Sequence, residues 1–302
     1  MTDKRDAVVS VEIPLCVDDR TLCRPGMVLG WDSARTGRYV DAVVAEIEAN
    51  AGQFDDCLVR AVRLGGGVAS NAGAGIASIM RAVRHSCNVA QDVRVTMRSS
   101  IANVSGATMP FFRRAGVSRF DFEMFSLNPV DFTRVNSVDN LDDLPIVCDS
   151  FLHSYANDTL GFVLAFGQAA LDGQDGVLNV RRTALAAARS HASHVELVRC
   201  AEQLAAGEDE VARQLSEMRE VLTGAGYAEY LPLRFARSGK EDRFAILRQA
   251  GVDQIGFGLA ALTRLDGVES VNTGDFERYC SSSADFAAIT ADVRPAAMRV
   301  AG

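Results

Sequence analysis

Two thiols and a guanidinium stand close together near the N-terminus, in the run Ile13-Pro14-Leu15-Cys16-Val17-Asp18-Asp19-Arg20-Thr21-Leu22-Cys23. Cysteine thiolates are the usual ligands of iron–sulfur centres, so Cys16 and Cys23 are the first residues to weigh as a metal site. Arg20 cannot lose its proton in a protein and offers no lone pair to a metal. Taken alone, the pair reads equally well as two ordinary thiols in a loop. Gly65-Gly66-Gly67 closes an apolar run and suits either close backbone approach by a ligand or a tight strand exit. His191 and His194 have a spacing that a helix would turn into a metal or haem pair, but no third ligand accompanies them, and a solvated loop is the better reading. His153 and Cys148 are a second, weaker pair of candidate haem ligands. Gly256-x-Gly-x-x-Ala261 imitates a dinucleotide turn without the strand–turn–helix unit that such a turn needs. No Walker loop, zinc-type Cys/His spacing or Ser/His/Asp arrangement stands out.

These residues must be carried by the elements that the apolar pattern predicts. Strands are expected at Val8–Leu15, Leu58–Leu64, Val93–Met97, Arg119–Phe125, Leu160–Phe166 and His194–Arg199. Helices are expected at Gly37–Ala51, Ile76–Val83, near Val104–Ala115, near Pro129–Asn136, at Leu141–Ser154, Leu178–Arg189 and Asp209–Thr223. Gly37–Ala51 carries Tyr39, Val40, Val43, Val44 and Ile47 on one stripe. Six strand–helix units in succession imply a parallel sheet with right-handed crossovers, either open and doubly wound or curled into a partial barrel. After Gly226 the pattern changes to short strands and glycine turns. The expected division is therefore 1–226 as the core and 227–302 as a small α/β extension rich in strands.

The 302 residues are 48% hydrophobic and 23% charged, an ordinary globular composition. A formal net charge of −8 argues against general nucleic-acid binding and against an anionic membrane surface. Seven scattered cysteines fit reduced thiols in a cytosol better than a disulfide framework. There is no signal core behind the N-terminus and no run of about 20 apolar residues, so a cytoplasmic protein without a membrane span is expected.

The order of these features resembles the oxygen-independent coproporphyrinogen III oxidase family of radical S-adenosylmethionine (SAM) enzymes, which includes haem chaperones and class C methylases. The landmarks are Ile13-Pro14-Leu15-Cys16, Tyr39-Val40-Asp41-Ala42 with Glu46-Ile47, Gly65-Gly66-Gly67, the run from Phe111 to Phe120, Phe235-Ala236-Arg237, and Gly256 to Ala261. The resemblance covers most of the chain and implies an α/β fold, a partial (βα)6 TIM-like barrel with a small C-terminal extension. The further helical domain of the full-length oxidases is expected to be absent here.

The resemblance also assigns positions. Cys16 and Cys23 match the first and third cysteines of the Cys-x3-Cys-x2-Cys loop that holds a 4Fe-4S cluster, and Arg20 falls on the second. Gly65, Gly66 and Gly67 match the turn that meets the amino-acid part of SAM. The third-strand glutamate and following Asp-Pro become Thr96, Arg98 and Ser99. A fourth-strand glutamine becomes Phe125, an arginine near Asn136 becomes Ser137, and a fifth-strand aspartate becomes Val163. The first-strand Tyr and His become Ser10 and Glu12. By strand alternation the inward-facing set is Ser10, Glu12, Arg94, Thr96, Arg98, Asp121, Glu123, Phe125, Val163 and Ala165. The expectation is that Arg94 and Arg98 pair with Asp121 and Glu123, and that Phe125 and Val163 add bulk, so that the lumen is filled where the cofactors sit in relatives. The alternative is a different register with solvated charges.

The reading favoured by the sequence is a radical SAM-fold pseudoenzyme without cluster or SAM, acting as partner of an active radical SAM paralogue or as a carrier of a tetrapyrrole or other small molecule. The alternatives are an active radical SAM enzyme with an unusual third cluster ligand, using a 4Fe-4S cluster and SAM, and a haem-binding chaperone.

Overall fold

Runs of β-branched and aromatic residues become strands here because one face of each run is covered by helices. The computed structural model describes residues 4–15, 32–129, 131–132, 140–153, 159–171, 173–200 and 202–295. Among these residues, twelve strands form one sheet, in the order β12-β11-β10-β9-β1-β2-β3-β4-β5-β6-β8-β7. Its centre is six parallel strands, β1 Arg5–Glu12, β2 Cys57–Gly65, β3 Val89–Ser99, β4 Arg119–Phe125, β5 Thr159–Phe166 and β6 His194–Arg199. This is the six-unit α/β arrangement expected from the repeating strand–helix pattern.

Residues after Gly226 continue the same sheet at both edges. β7 Ala228–Leu231 and β8 Arg234–Ala236 form an antiparallel hairpin on β6. β9 Asp253–Gly258 pairs parallel with β1, and β10 Leu262–Leu265, β11 Val268–Asn272 and β12 Thr290–Pro295 follow as an antiparallel meander. Gly256 and Gly258 therefore lie in a strand that turns into another strand, which removes the dinucleotide-turn reading.

Several boundaries differ from the sequence pattern for local reasons. β1 stops at Glu12, two residues before Pro14, which has no N–H to give the ladder. The helix expected near Val104–Ala115 is confined to Met109–Arg114. Pro110 is tolerated only in a first turn, so the helix cannot start much earlier. A short 3-10 turn, Ile101–Asn103, occupies the preceding stretch. The helix expected near Pro129–Asn136 falls mostly outside the described residues.

The two faces of the sheet have different chemistry. Val9, Val11, Val62, Leu64, Met97, Phe120, Phe122, Phe162, Leu164, Val195 and Leu197 point to the helix side and belong to the main apolar core. Ser10, Glu12, Arg63, Thr96, Arg98, Arg119, Asp121, Glu123, His194 and Glu196 alternate with them on the opposite face. A buried network on the core side ties the C-terminal strands to the first helix, Ser33–Ala49. Glu46 accepts from Gly258 N (2.7 Å), Asn272 Nδ2 (2.7 Å) and Tyr279 Oη (2.5 Å). Tyr39 Oη donates to Glu12 O and accepts from Leu259 N.

Candidate functional site

The polar face is concave. Arg98 on β3 is ion-paired with Glu196 on β6, both buried, although two strands lie between them. In a flat sheet these strands would be about 14 Å apart. The curl that closes this gap makes the sheet a partial barrel with Arg98 and Glu196 meeting in its lumen.

Arg234, arriving on the antiparallel β8 opposite Glu196, grips the same carboxylate with two nitrogens at 2.9 and 3.2 Å. It also lies 3.7 Å from Asp242. Burial by itself would raise the Glu196 carboxyl, but the guanidinium groups of Arg98 and Arg234 outweigh it and hold Glu196 down at about 2. Arg63 and His194 lie within electrostatic range of the same carboxylate.

A second group lies beside it. Arg119 Nε donates to both oxygens of Asp121, two residues along β4, at 3.1 and 3.2 Å. The loop after β8 is tied in by Arg119 Nη1 to Lys240 O at 2.9 Å. His194 Nε2 is 2.8 Å from Tyr230 Oη, which accepts from Asp242 N at 3.1 Å. Burial and then the Arg119 charge push the His194 imidazole well below its ordinary value, so it is neutral near pH 7. Among the described residues, Arg63 Nε, Arg98 Nη1, Arg119 Nη2 and His194 Nδ1 are buried without a hydrogen-bond partner, and all four face this lumen.

Phe125, Val163, Ala165 and Cys200 pack into a small apolar cluster near the C-terminal ends of β4, β5 and β6. The register shifts between Glu123 and Phe125, and Phe125 has φ of +35°, a region unfavourable for a bulky side chain. Phe125 lies on the lumen face with Asp121 and Glu123, as strand alternation places it, and packs there against Val163 and Ala165.

At the end of β2, Gly66 has φ of +85°. A Cβ there would sit 2.7 Å from Glu12 Oε2 and 2.9 Å from Ile13 N, so the chain itself fills the space beside this turn. Glu12 is also bonded by Ser10 Oγ and lies 3.8 Å from Arg63. Arg63 Nε is 3.1 Å from the point a Cβ on Gly65 would take, and its guanidinium lies over the Phe244 ring at 5.1 Å.

The residues singled out by sequence thus have different fates. Arg98, Asp121, Glu123, Phe125, Val163 and Glu12 are on the lumen face, but Arg94, midway along β3, is exposed. Arg98 and Asp121 are neighbours in register, yet Arg98 bonds Glu196 and Asp121 bonds Arg119. Cys16, Arg20, Cys23 and Ser137 lie outside the described residues. His191 is exposed in a left-handed turn and His194 begins β6, so they do not form a helical pair. Cys148 is buried while His153 is exposed beside Asp149, so they do not converge on one ligand. Glu196, Arg234, Arg119, Arg63 and Asp242 escaped the sequence reading. The signal for Glu196 was a lone carboxylate in the apolar alternation His194-Val195-Glu196-Leu197-Val198.

No protein-family model matches the chain, and no curated protein matches it. Among solved structures, coproporphyrinogen III oxidase (HemN) from Escherichia coli, described as a radical SAM enzyme, is similar over 97% of this chain and 72% of its own, with TM-score 0.82 and 16% identity. The FeFe-hydrogenase maturase HydG from Carboxydothermus hydrogenoformans overlaps over 91% of this chain and 61% of its own, with TM-score 0.43 and 14% identity. From the first of these comparisons, this chain has a HemN-like radical SAM fold.

Proposed function

We propose that this protein retains a radical SAM fold without the radical chemistry, and acts by binding. The observation that carries the reading is the pairing of Arg98 and Arg234 with Glu196 across the lumen, because it places fixed, ion-paired charge inside the barrel.

The residues present do not fit a 4Fe-4S cluster with SAM. The N-terminal loop offers two thiolates, Cys16 and Cys23, and at the middle position between them a guanidinium, Arg20, that cannot ligate iron. The approach to Gly66 is taken by the Glu12 carboxylate and the Ile13 N–H. Where the family resemblance implies a glutamine and an aspartate, Phe125 and Val163 pack against Ala165 and Cys200. These departures fall on separate strands, as loss of one shared cofactor predicts.

An active radical SAM paralogue is one partner that suits such a protein, and a tetrapyrrole or smaller molecule carried by the barrel is the other. A cytosolic setting accords with the buried reduced thiols Cys57, Cys87, Cys148 and Cys200. No helix among the described residues is long and apolar enough to cross a membrane.

The test is anaerobic reconstitution with iron and sulfide, followed by metal and sulfide analysis and a visible spectrum. The reading predicts no stoichiometric cluster. Four irons and four sulfides per chain, with cluster absorbance lost in Cys16→Ala, would overturn it.

A further inference from the structure

On the lumen side, between the β7–β8 turn and the helix Arg243–Gln249, lies a cleft of about 230 Å³. Arg63, Arg234 and Arg248 line it together with Phe244, Leu231 and Pro232, and no carboxylate is among the described residues that line it. Such a one-signed cleft is unexpected in a chain of formal net charge −8, and a recess of this kind focuses positive potential. The geometry points to a binding site for a small organic oxyanion, a phosphate monoester or a carboxylate, whose apolar body rests on Phe244.

Three observations support it. First, two of the guanidinium groups are held in place before any ligand arrives. Arg234 is clamped by Glu196 at 2.9 and 3.2 Å, and Arg63 lies over Phe244 beside the bare Cα of Gly65. Preorganised donors lose little freedom on binding. Second, Arg63 retains donor capacity. The Glu12 carboxylate is 3.8 Å away, and among the described residues the buried Arg63 Nε has no hydrogen-bond partner. A buried donor left unmatched calls for a water or an anion, and a guanidinium fork matches carboxylate and phosphate oxygens. Third, the far wall is apolar. Phe244 is itself seated on Val8 and Ala61, which fixes the ring as a floor. The volume is below the ~300–1,000 Å³ of drug-sized pockets and suits a small metabolite rather than a tetrapyrrole. The inference does not rest on the fate of the cluster, since it is argued from Arg63, Arg234 and Phe244 alone.

The experiment is calorimetric titration of the full chain with phenyl phosphate, benzoate and inorganic phosphate, at low and high salt. Phenyl phosphate or benzoate is expected to bind one per chain, more tightly than inorganic phosphate, and the tighter of the two identifies the head group. Arg63→Gln is expected to weaken that binding at least about tenfold, the worth of one charge-assisted hydrogen bond. Arg84→Gln, in a separate arginine-lined groove beside Phe111, is the control and is expected to change nothing. If circular dichroism finds Arg63→Gln unfolded, Arg63→Lys replaces it, and affinity is expected to fall because the fork is lost while the charge stays. No binding by any of the three anions, equal weakening in the Arg63 and Arg84 variants, or full affinity in the Arg63 variant would each overturn the proposal.

Discussion

Arg98 and Glu196, 98 residues apart in sequence and three strands apart in the sheet, form a buried ion pair across the lumen. Removing one partner of a buried pair is costly because it strands the other charge. Glu196→Gln is therefore expected to lose about 3–5 kcal/mol of stability in urea unfolding. The double variant Arg98→Met/Glu196→Leu should lose less than the sum of the two single changes, which a double-mutant cycle measures.

The same carboxylate gives an acid-side signature. Glu196 is held at about 2 in the folded protein against an ordinary value of 4.5. A depressed folded value means that the stabilisation is present above about 4.5 and is lost as pH falls toward 2, by up to roughly 3 kcal/mol. Urea midpoints at a series of pH values should follow that fall in wild type and flatten in Glu196→Gln.

Glu46 has the opposite sign. Burial raises it to about 7, against the three donors that favour its ionised form. A raised folded value means that its contribution is complete below about 4.5 and is lost as pH rises through about 7. Stability of wild type relative to Glu46→Gln should therefore decline between pH 5 and 8, read from thermal midpoints of both proteins.

Gly66 is predicted to be intolerant of a side chain. Its φ of +85° and the closeness of Glu12 and Ile13 set the expected loss for Gly66→Ala at about 1–3 kcal/mol. A variant as stable as wild type would mean that the turn has room to open.

The parallel core was legible because each strand keeps its apolar alternation and each helix its stripe, as in Arg119–Phe125 and Gly176–Arg189. Alternation also identified the lumen face of Arg98, Asp121 and Glu123. It could not give height along the strand, and so Arg94, four residues before Arg98 and midway along β3, reaches solvent while Arg98 is buried. Nor could it give curvature. A flat sheet would pair Arg98 with the adjacent Asp121, whereas the curl brings in Glu196 from the sixth strand. Arg234 reaches the site from an edge hairpin whose antiparallel docking leaves no periodic signal in the sequence. Glu46 sits on the apolar stripe of a helix, and only the fold reveals the three donors that keep it there.

Restoring cysteine at position 20 separates a damaged loop from an abandoned site. Arg20→Cys recreates the three-thiol spacing with Cys16 and Cys23. Because Glu12, Phe125 and Val163 remain in the lumen, that variant should still fail to bind SAM in equilibrium dialysis.

The most direct measurement of the central claim is 5′-deoxyadenosine formed per chain when the anaerobically reconstituted wild-type protein is given SAM and a strong reductant. The account predicts none above a protein-free control. Formation of 5′-deoxyadenosine over successive turnovers, abolished by Cys16→Ala or Cys23→Ala, would contradict it.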